Sequence, residues 1–271
     1  LIKIINHKIE TNTMTEIHST AIVSAKAQLG ENVRVDAYAI IKDDVIINDD
    51  TYIGPHAVIY DGARIGKKVK IYQSASIAHI PQDLKFDKDE STAEIGDETV
   101  IHEFVTVHRG TKETRLTKIG SNVLLMAYAH VAHDCHIGDR CILANGVQIA
   151  GHVFVDDWTI IGGMTPVHQF CKVGKHCMIG GGFRVTQDVP PFILAAQEPL
   201  QYEGLNVVGL RRRGFSNREI QMLKDVYQLL YRSQLNVSQA KEKILADFGT
   251  EPHAQEVLSF LNESKRGLIG K

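Results

Sequence analysis

The chain has 271 residues, 44% of them apolar, a formal charge of −2 and a pI near 6.7. That apolar share supports a sizeable core, and the near-neutral charge supplies no global basic field for nucleic acid. Four cysteines in this length do not make a disulfide scaffold, and no signal-peptide h-region precedes them. No apolar run approaches the ~20 residues that span a bilayer, so the cytoplasm is the expected compartment.

The first thirteen residues, LIKIINHKIETNT, lie outside any pattern and read as a non-native or leader segment. From Ile17 every sixth residue is Ile, Val or Leu: Ile17, Val23, Leu29, Val35, Ile41 and onward to Ile77, then Ile95 to Val107, then Ile119 to Val185. Taking each of these as position i, position i+4 is small or β-branched (Ala21, Ala27, Val33, Ala39). Position i+1 is often Gly, as at Gly30, Gly54, Gly66, Gly96, Gly120, Gly138, Gly162 and Gly174. A helical period of 3.6 would scatter these residues around the axis, whereas a short strand and a turn per hexad bury them all. Three hexads then close one coil of parallel β-structure, coils stack, and the glycines are expected to serve the corners.

Two segments lose the beat, near 78–94 and 108–118; both are charged and are expected as loops extruded from the solenoid, where binding groups concentrate. After Pro190-Pro191 the hexads cease. Ser216-x-x-Glu219 is a capping-box signature before Ile220, Leu223, Tyr227 and Leu230 at helical spacing. A second helix is expected from Asn236 to near Gly249, and a third from Pro252 to about Asn262. The expected fold is mainly β, a parallel β-helix over 14–190 followed by a small α-helical C-terminal domain over 191–271.

The stretch Ala129 to Cys141, AHVAHDCHIGDRC, looks at first like a metal site. The hexad register argues otherwise: Cys135, Cys141, Cys171 and Cys177 all stand at i+4, where other hexads carry Ala, Val or Thr, and inward residues of stacked coils cannot converge on one tetrahedral metal. The histidines fall off the core positions. One coil of eighteen residues places His133 below Gly151 and Gln169, and Asp134 below His152, with Gly151 leaving space over His133. A polar ladder that merely solvates one face competes with a catalytic reading, in which a His beside a carboxylate suits general-base work near neutral pH.

QDLKF, IHEFVTVHRGT, the run from AHVAHDCHIG to VHQFCKVG, QDVPPF and GLRRRGFS together make the chain resemble the UDP-N-acetylglucosamine O-acyltransferase family, the first enzyme of lipid A biosynthesis, from Met14 to about Lys271. The resemblance implies a left-handed β-helix, a homotrimer with sites between subunits, and no cofactor or metal. It implies transfer of an (R)-3-hydroxyacyl group from acyl carrier protein to the 3-hydroxyl of UDP-N-acetylglucosamine, without a covalent enzyme intermediate. His133 is then the general base, Asp134 its orienting carboxylate, and the Gly151 backbone N–H the oxyanion donor. Gln82, Asp83, Lys85, His130, His152, His168 and Gln169 match positions lining the substrate cleft. Asn206, Arg212 and Arg213 match the motif that holds nucleotide and carrier-borne donor, and Gly181 the position that measures the acyl chain, where Gly admits a long one.

One departure is Val208, where familiar members carry Glu. The runners-up are the N-acyltransferase of the same pathway, whose N-terminal uridine-binding domain has no room before Ile17, and a zinc-dependent γ-carbonic-anhydrase-like trimer, raised by the H-x₂-H-x₂-H spacing of His130, His133 and His136.

Overall fold

The computed structural model describes residues 15–270, so the expected leader segment lies outside the described residues. The hexads form a three-faced parallel β-helix. Face I holds eleven strands, from Glu16–Ile17 to Gln201–Leu205; face II holds eight, from Ile22–Val23 to Pro166–Val167; face III holds eight, from Gln28–Leu29 to Lys172–Val173. Strands of two to four residues pair in parallel one coil apart, as Leu125 with Leu143, Leu143 with Ile161 and Ile161 with Ile179. Two places stretch this step of eighteen. Ile77 pairs with Val107 and Val107 with Val131, because segments 80–91 and 109–115 leave the coil between faces II and III.

Position i fills the prism. Ile41, Ile59, Ile77, Leu125, Val131, Leu143, Ile149 and Ile161 are each at most 1% exposed, and residues at i+4 pack beside them. A strand this short has little stability of its own; stacking against both neighbours supplies it. All four cysteines are buried free thiols in the i+4 columns. Cys135 and Cys141 donate to the carbonyl oxygens of Ala150 and Asp156 at 3.0 and 3.1 Å.

The expected role of the i+1 glycines needs correction. None of the eight has a positive φ; the left-handed turn residue is at i+3, and it is seldom Gly: Tyr38, His56, Asn122, Asp134, His152, Trp158, Phe170 and His176 all sit near φ +60°. Each such L-residue costs roughly 1–2 kcal/mol. Side chains at these corners stack on their equivalents one coil away and recover part of that cost, as Phe104 on Tyr128 at 5.1 Å and His152 on Phe170 at 4.7 Å. The i+1 glycines instead permit close stacking. At the corner between faces III and I, a Cβ on Gly138 would stand 2.7 Å from the Asp157 nitrogen, and one on Gly30 2.5 Å from the Asp49 carboxylate.

Past Pro191 the chain remains sheet for one more hairpin, Ile193–Ala196 with Gln201–Leu205, which extends face I. Four helices follow: α1 (Val207–Arg212), α2 (Asn217–Tyr231), α3 (Val237–Phe248) and α4 (Pro252–Glu263). Ser216 and Glu219 make both arms of the capping box that starts α2, and Asn236 with Gln239 starts α3 the same way. Buried Asp188 ties the tail back to the last coil, accepting from Ser264 Oγ and the backbone N–H groups of Lys265 and Arg266. Among the described residues, no helix is long and apolar enough to cross a membrane.

Candidate functional site

The corner between faces II and III brings His133 and His152 together on successive coils. Register pairs His130 with Gln148 and Gln148 with Pro166, so the turns 133–134, 151–152 and 169–170 stack directly. Half-buried His133 places Nδ1 2.7 Å from Asp134 Oδ2. With Nδ1–H donating to that carboxylate, Nε2 carries the lone pair and is the nitrogen able to take a proton. The space over His133 is filled by its own ring, which lies against Gly151: a Cβ there would meet Cε1 at 2.7 Å and Nε2 at 2.8 Å. Only glycine permits this approach, and the Gly151 N–H has no acceptor among the described residues.

Asp134 is 8% exposed. Burial alone would raise its pKa, but hydrogen bonds from His133, Thr114 and Thr111 outweigh that and hold the carboxyl well below the usual range. Thr111 donates its N–H at 3.0 Å and its hydroxyl at 2.8 Å, and the Thr114 hydroxyl donates to Oδ1. Sequence reading missed both threonines: they sit in the aperiodic segment after Val107, where no register assigns direction. Across the coil step His152 lies edge-on to His133 at 5.1 Å, with Nε2 3.7 Å from Asp134 and 3.6 Å from Glu113.

On face II, His130 Nδ1 meets Thr106 Oγ1 at 2.7 Å, and burial lowers its pKa. Beside it stands His108, also missed from sequence. This ring is 3% exposed and 4.9 Å from His130; burial first, then the neighbouring histidines, bring its pKa down to about 4. An apolar groove of about 470 Å³ runs across face II from His130 over Ala150, Pro166 and His168 to Arg184 and Val185. His168 and Gln169 stand exposed at its edge. His136 goes elsewhere, stacking on Phe154 of face III at 4.7 Å.

The remaining candidates are not brought to His133 within one chain. Gln82 and Lys85 are exposed on the first extruded segment, where Asp83 caps the local turn by accepting the Lys85 N–H at 2.9 Å, and Leu84 at the tip is fully exposed. Asn206 and Arg213 belong to the corner between faces III and I. Asn206 is the N-cap of α1 and donates to His176 O at 3.0 Å; Arg213 lies over the Trp158 ring at 5.2 Å and contacts His176 Nδ1 at 3.3 Å. Arg212 and Val208 are exposed on α1. Gly181 sits exposed at the corner between faces I and II, where an added Cβ would meet the Gly163 carbonyl at 3.0 Å.

Among the described residues, the one cluster whose ligand atoms come within 4.8 Å of one another is His133, Asp134 and His152. It spans two coils and differs from the triplet His130, His133 and His136 that the linear spacing raises.

Comparison with known proteins completes the picture. The profile of the bacterial transferase hexapeptide matches residues 26–61 and 116–151, and that described as UDP-N-acetylglucosamine O-acyltransferase, domain 2, matches 188–269. The chain is 44% identical over 261 residues to an acyl-[acyl-carrier-protein]–UDP-N-acetylglucosamine O-acyltransferase of Herminiimonas arsenicoxydans, covering 94% of this chain and 100% of that one. Among solved structures, a UDP-N-acetylglucosamine acyltransferase from Bacteroides fragilis is 43% identical with a TM-score of 0.91, covering 93% of this chain and 99% of that one. The enzyme from Francisella novicida is 38% identical with a TM-score of 0.92, covering 94% of each.

Proposed function

Since the chain belongs to the UDP-N-acetylglucosamine O-acyltransferase family, we propose that the corner holding His133 is where it moves a 3-hydroxyacyl group from acyl carrier protein to the 3-hydroxyl of UDP-N-acetylglucosamine. The activity is that of the family, opening lipid A biosynthesis. The observation that carries it is the His133–Asp134 pair pressed against Gly151.

His133 Nε2 removes the proton of the sugar 3-hydroxyl while Asp134 fixes the ring and balances the imidazolium charge. The oxygen attacks the thioester carbonyl, and the resulting oxyanion accepts the Gly151 N–H, a donor typically worth about 2.7–4 kcal/mol. Collapse expels the carrier thiolate, which takes the proton back from the imidazolium. No group of the enzyme is acylated. The groove beside His130 and His168 is apolar enough to receive the acyl chain, and Gly181, with no side chain to block it, admits a long one. Arg211 and Arg212, exposed on α1, suit an acidic carrier or a diphosphate.

The separation of candidates between two corners favours a homotrimer: Gln82, Lys85 and Arg212 then complete the site of a neighbouring copy. The bare Leu84 tip and the exposed column Phe104, Tyr128 and Met164 are surfaces such packing would cover. The test is acyl transfer from hydroxyacyl carrier protein to UDP-N-acetylglucosamine with His133→Ala alongside. Loss of turnover in a folded variant supports the reading, and retained turnover removes it.

A further inference from the structure

The second extruded segment does more than leave the coil. It turns tightly, with the Arg115 N–H donating to Thr111 O, and is pinned to the adjoining strand by Gly110 N–H to Thr92 O and Thr92 N–H to Arg115 O. From this turn and the strand that follows it, three threonines address one residue. Thr111 and Thr114 donate to the Asp134 carboxylate, and Thr117 Oγ1 accepts the Asp134 N–H at 2.9 Å.

With His133 included, four donors reach the two carboxylate oxygens. An ionised carboxylate at this burial must have its lone pairs filled. Two of those donors are hydroxyls of one turn, and they fix the torsion of Asp134 as well as its charge. The ring of His133 has no other side-chain hydrogen bond to hold its orientation among the described residues. Its plane against Gly151 is therefore set by the direction in which Asp134 points.

We propose that Thr111 and Thr114 are positioning residues of the transferase, a hydroxyl clamp that aims Asp134 and through it His133. This rests on His133 being the general base. Both hydroxyls are spent on the Asp134 carboxylate, so the clamp is expected to act on the chemical step and not on substrate binding.

Valine is isosteric with threonine and lacks the hydroxyl, which separates hydrogen bonding from packing. With acyl carrier protein thioester and UDP-N-acetylglucosamine, Thr114→Val is expected to lower kcat about tenfold with KM unchanged, and Thr114→Ser to restore it to within about twofold. Thr111→Val, which also leaves a buried acceptor short, is expected to lose at least as much. In an Asp134→Asn background Thr114→Val should add nothing further, because both act through one group.

Full kcat in both valine variants, a change confined to KM, or an undiminished penalty in the Asn background overturns the clamp. His133→Ala run beside them separates the two failures. If that variant keeps its turnover, the base assignment has failed; if it is dead while the valine variants match wild type, the clamp alone has failed. Thr114 is exposed, so its variants carry the test even where Thr111→Val does not fold.

Discussion

The corner between faces III and I and the corner between faces II and III are made from the same hexad and do opposite things with their polar groups. At the first, Gly at i+1 admits an Asp at i+2 from the next coil, and that carboxylate accepts a backbone N–H: Asp49 from Glu31, Asp97 from Lys67, Asp139 from Ser121, Asp157 from Asp139, at 2.7–3.1 Å. Every carboxylate in that ladder is committed to the backbone. At the second corner Asp61 still accepts the Asp44 N–H in an early coil, but His133, Gly151 and Gln169 replace the aspartates further on. The backbone there is left with donors, and an imidazole faces them. A repeat makes a site where it stops satisfying itself.

The largest expected effect is at His133. Removing the base in His133→Ala should cost about 10²–10⁴ in kcat with an unchanged melting temperature, read by turnover and calorimetry together. The same small substitution at the two corners divides them next. Gly151→Ala drives a methyl into the His133 ring and should cut kcat about a hundredfold with little loss of stability. Gly138→Ala meets the backbone of Asp156 and Asp157 and should cost about 1–3 kcal/mol in urea unfolding, leaving kcat alone. If both alanines fall on the same observable, the division of labour between the corners is wrong.

Acid should loosen the first corner and face II beside the second, through different groups. Burial, then neighbouring charge, lowers His108 to about 4 and His176 to about 3. Unfolded histidine titrates near 6.5, so the unfolded chain binds the extra protons. Stability is full above about pH 6.5 and falls as pH drops toward the folded values, by about 2 kcal/mol for each of the two at pH 5. Asp134, held low, adds its own loss only below the unfolded carboxylate range near 4. Urea midpoints between pH 7.5 and 5 check the sign, and His108→Phe should flatten the slope. The smallest effect is Asp157→Ala, which strips one acceptor from the Asp139 N–H and should cost about 1 kcal/mol with no change in turnover.

How much of this could be read from the sequence follows from period. Eighteen-residue spacing was enough to stack His133 under Gly151 and Asp134 under His152, and to turn the four cysteines inward. The capping box of α2 was legible because its chemistry is local. Illegible were features that depend on backbone departing from the period. The left-handed residue falls at i+3, and no residue type marks it, since His, Trp, Phe, Asn and Asp all occupy it. Thr111 and Thr114 were lost in a loop. His108 sits at i+1 beside the core rather than at a corner, between His79 and His130 of the adjoining coils. The places of Asn206 and Arg213, as the α1 N-cap and on the Trp158–His176 stack, depend on the C-terminal fold and not on the hexad.

The thiol columns have a practical consequence. Cys135 and Cys141 belong to the coil that carries His133, and Cys171 and Cys177 to the coil two steps on; burial pushes Cys135, Cys141 and Cys177 up to about 12 and Cys171 to about 11. Neither access nor thiolate is available in the folded coil. Alkylation of these sulfurs therefore requires the coil to come apart, and its rate is a label-based clock, needing no engineered probe, for opening of the coil that carries His133.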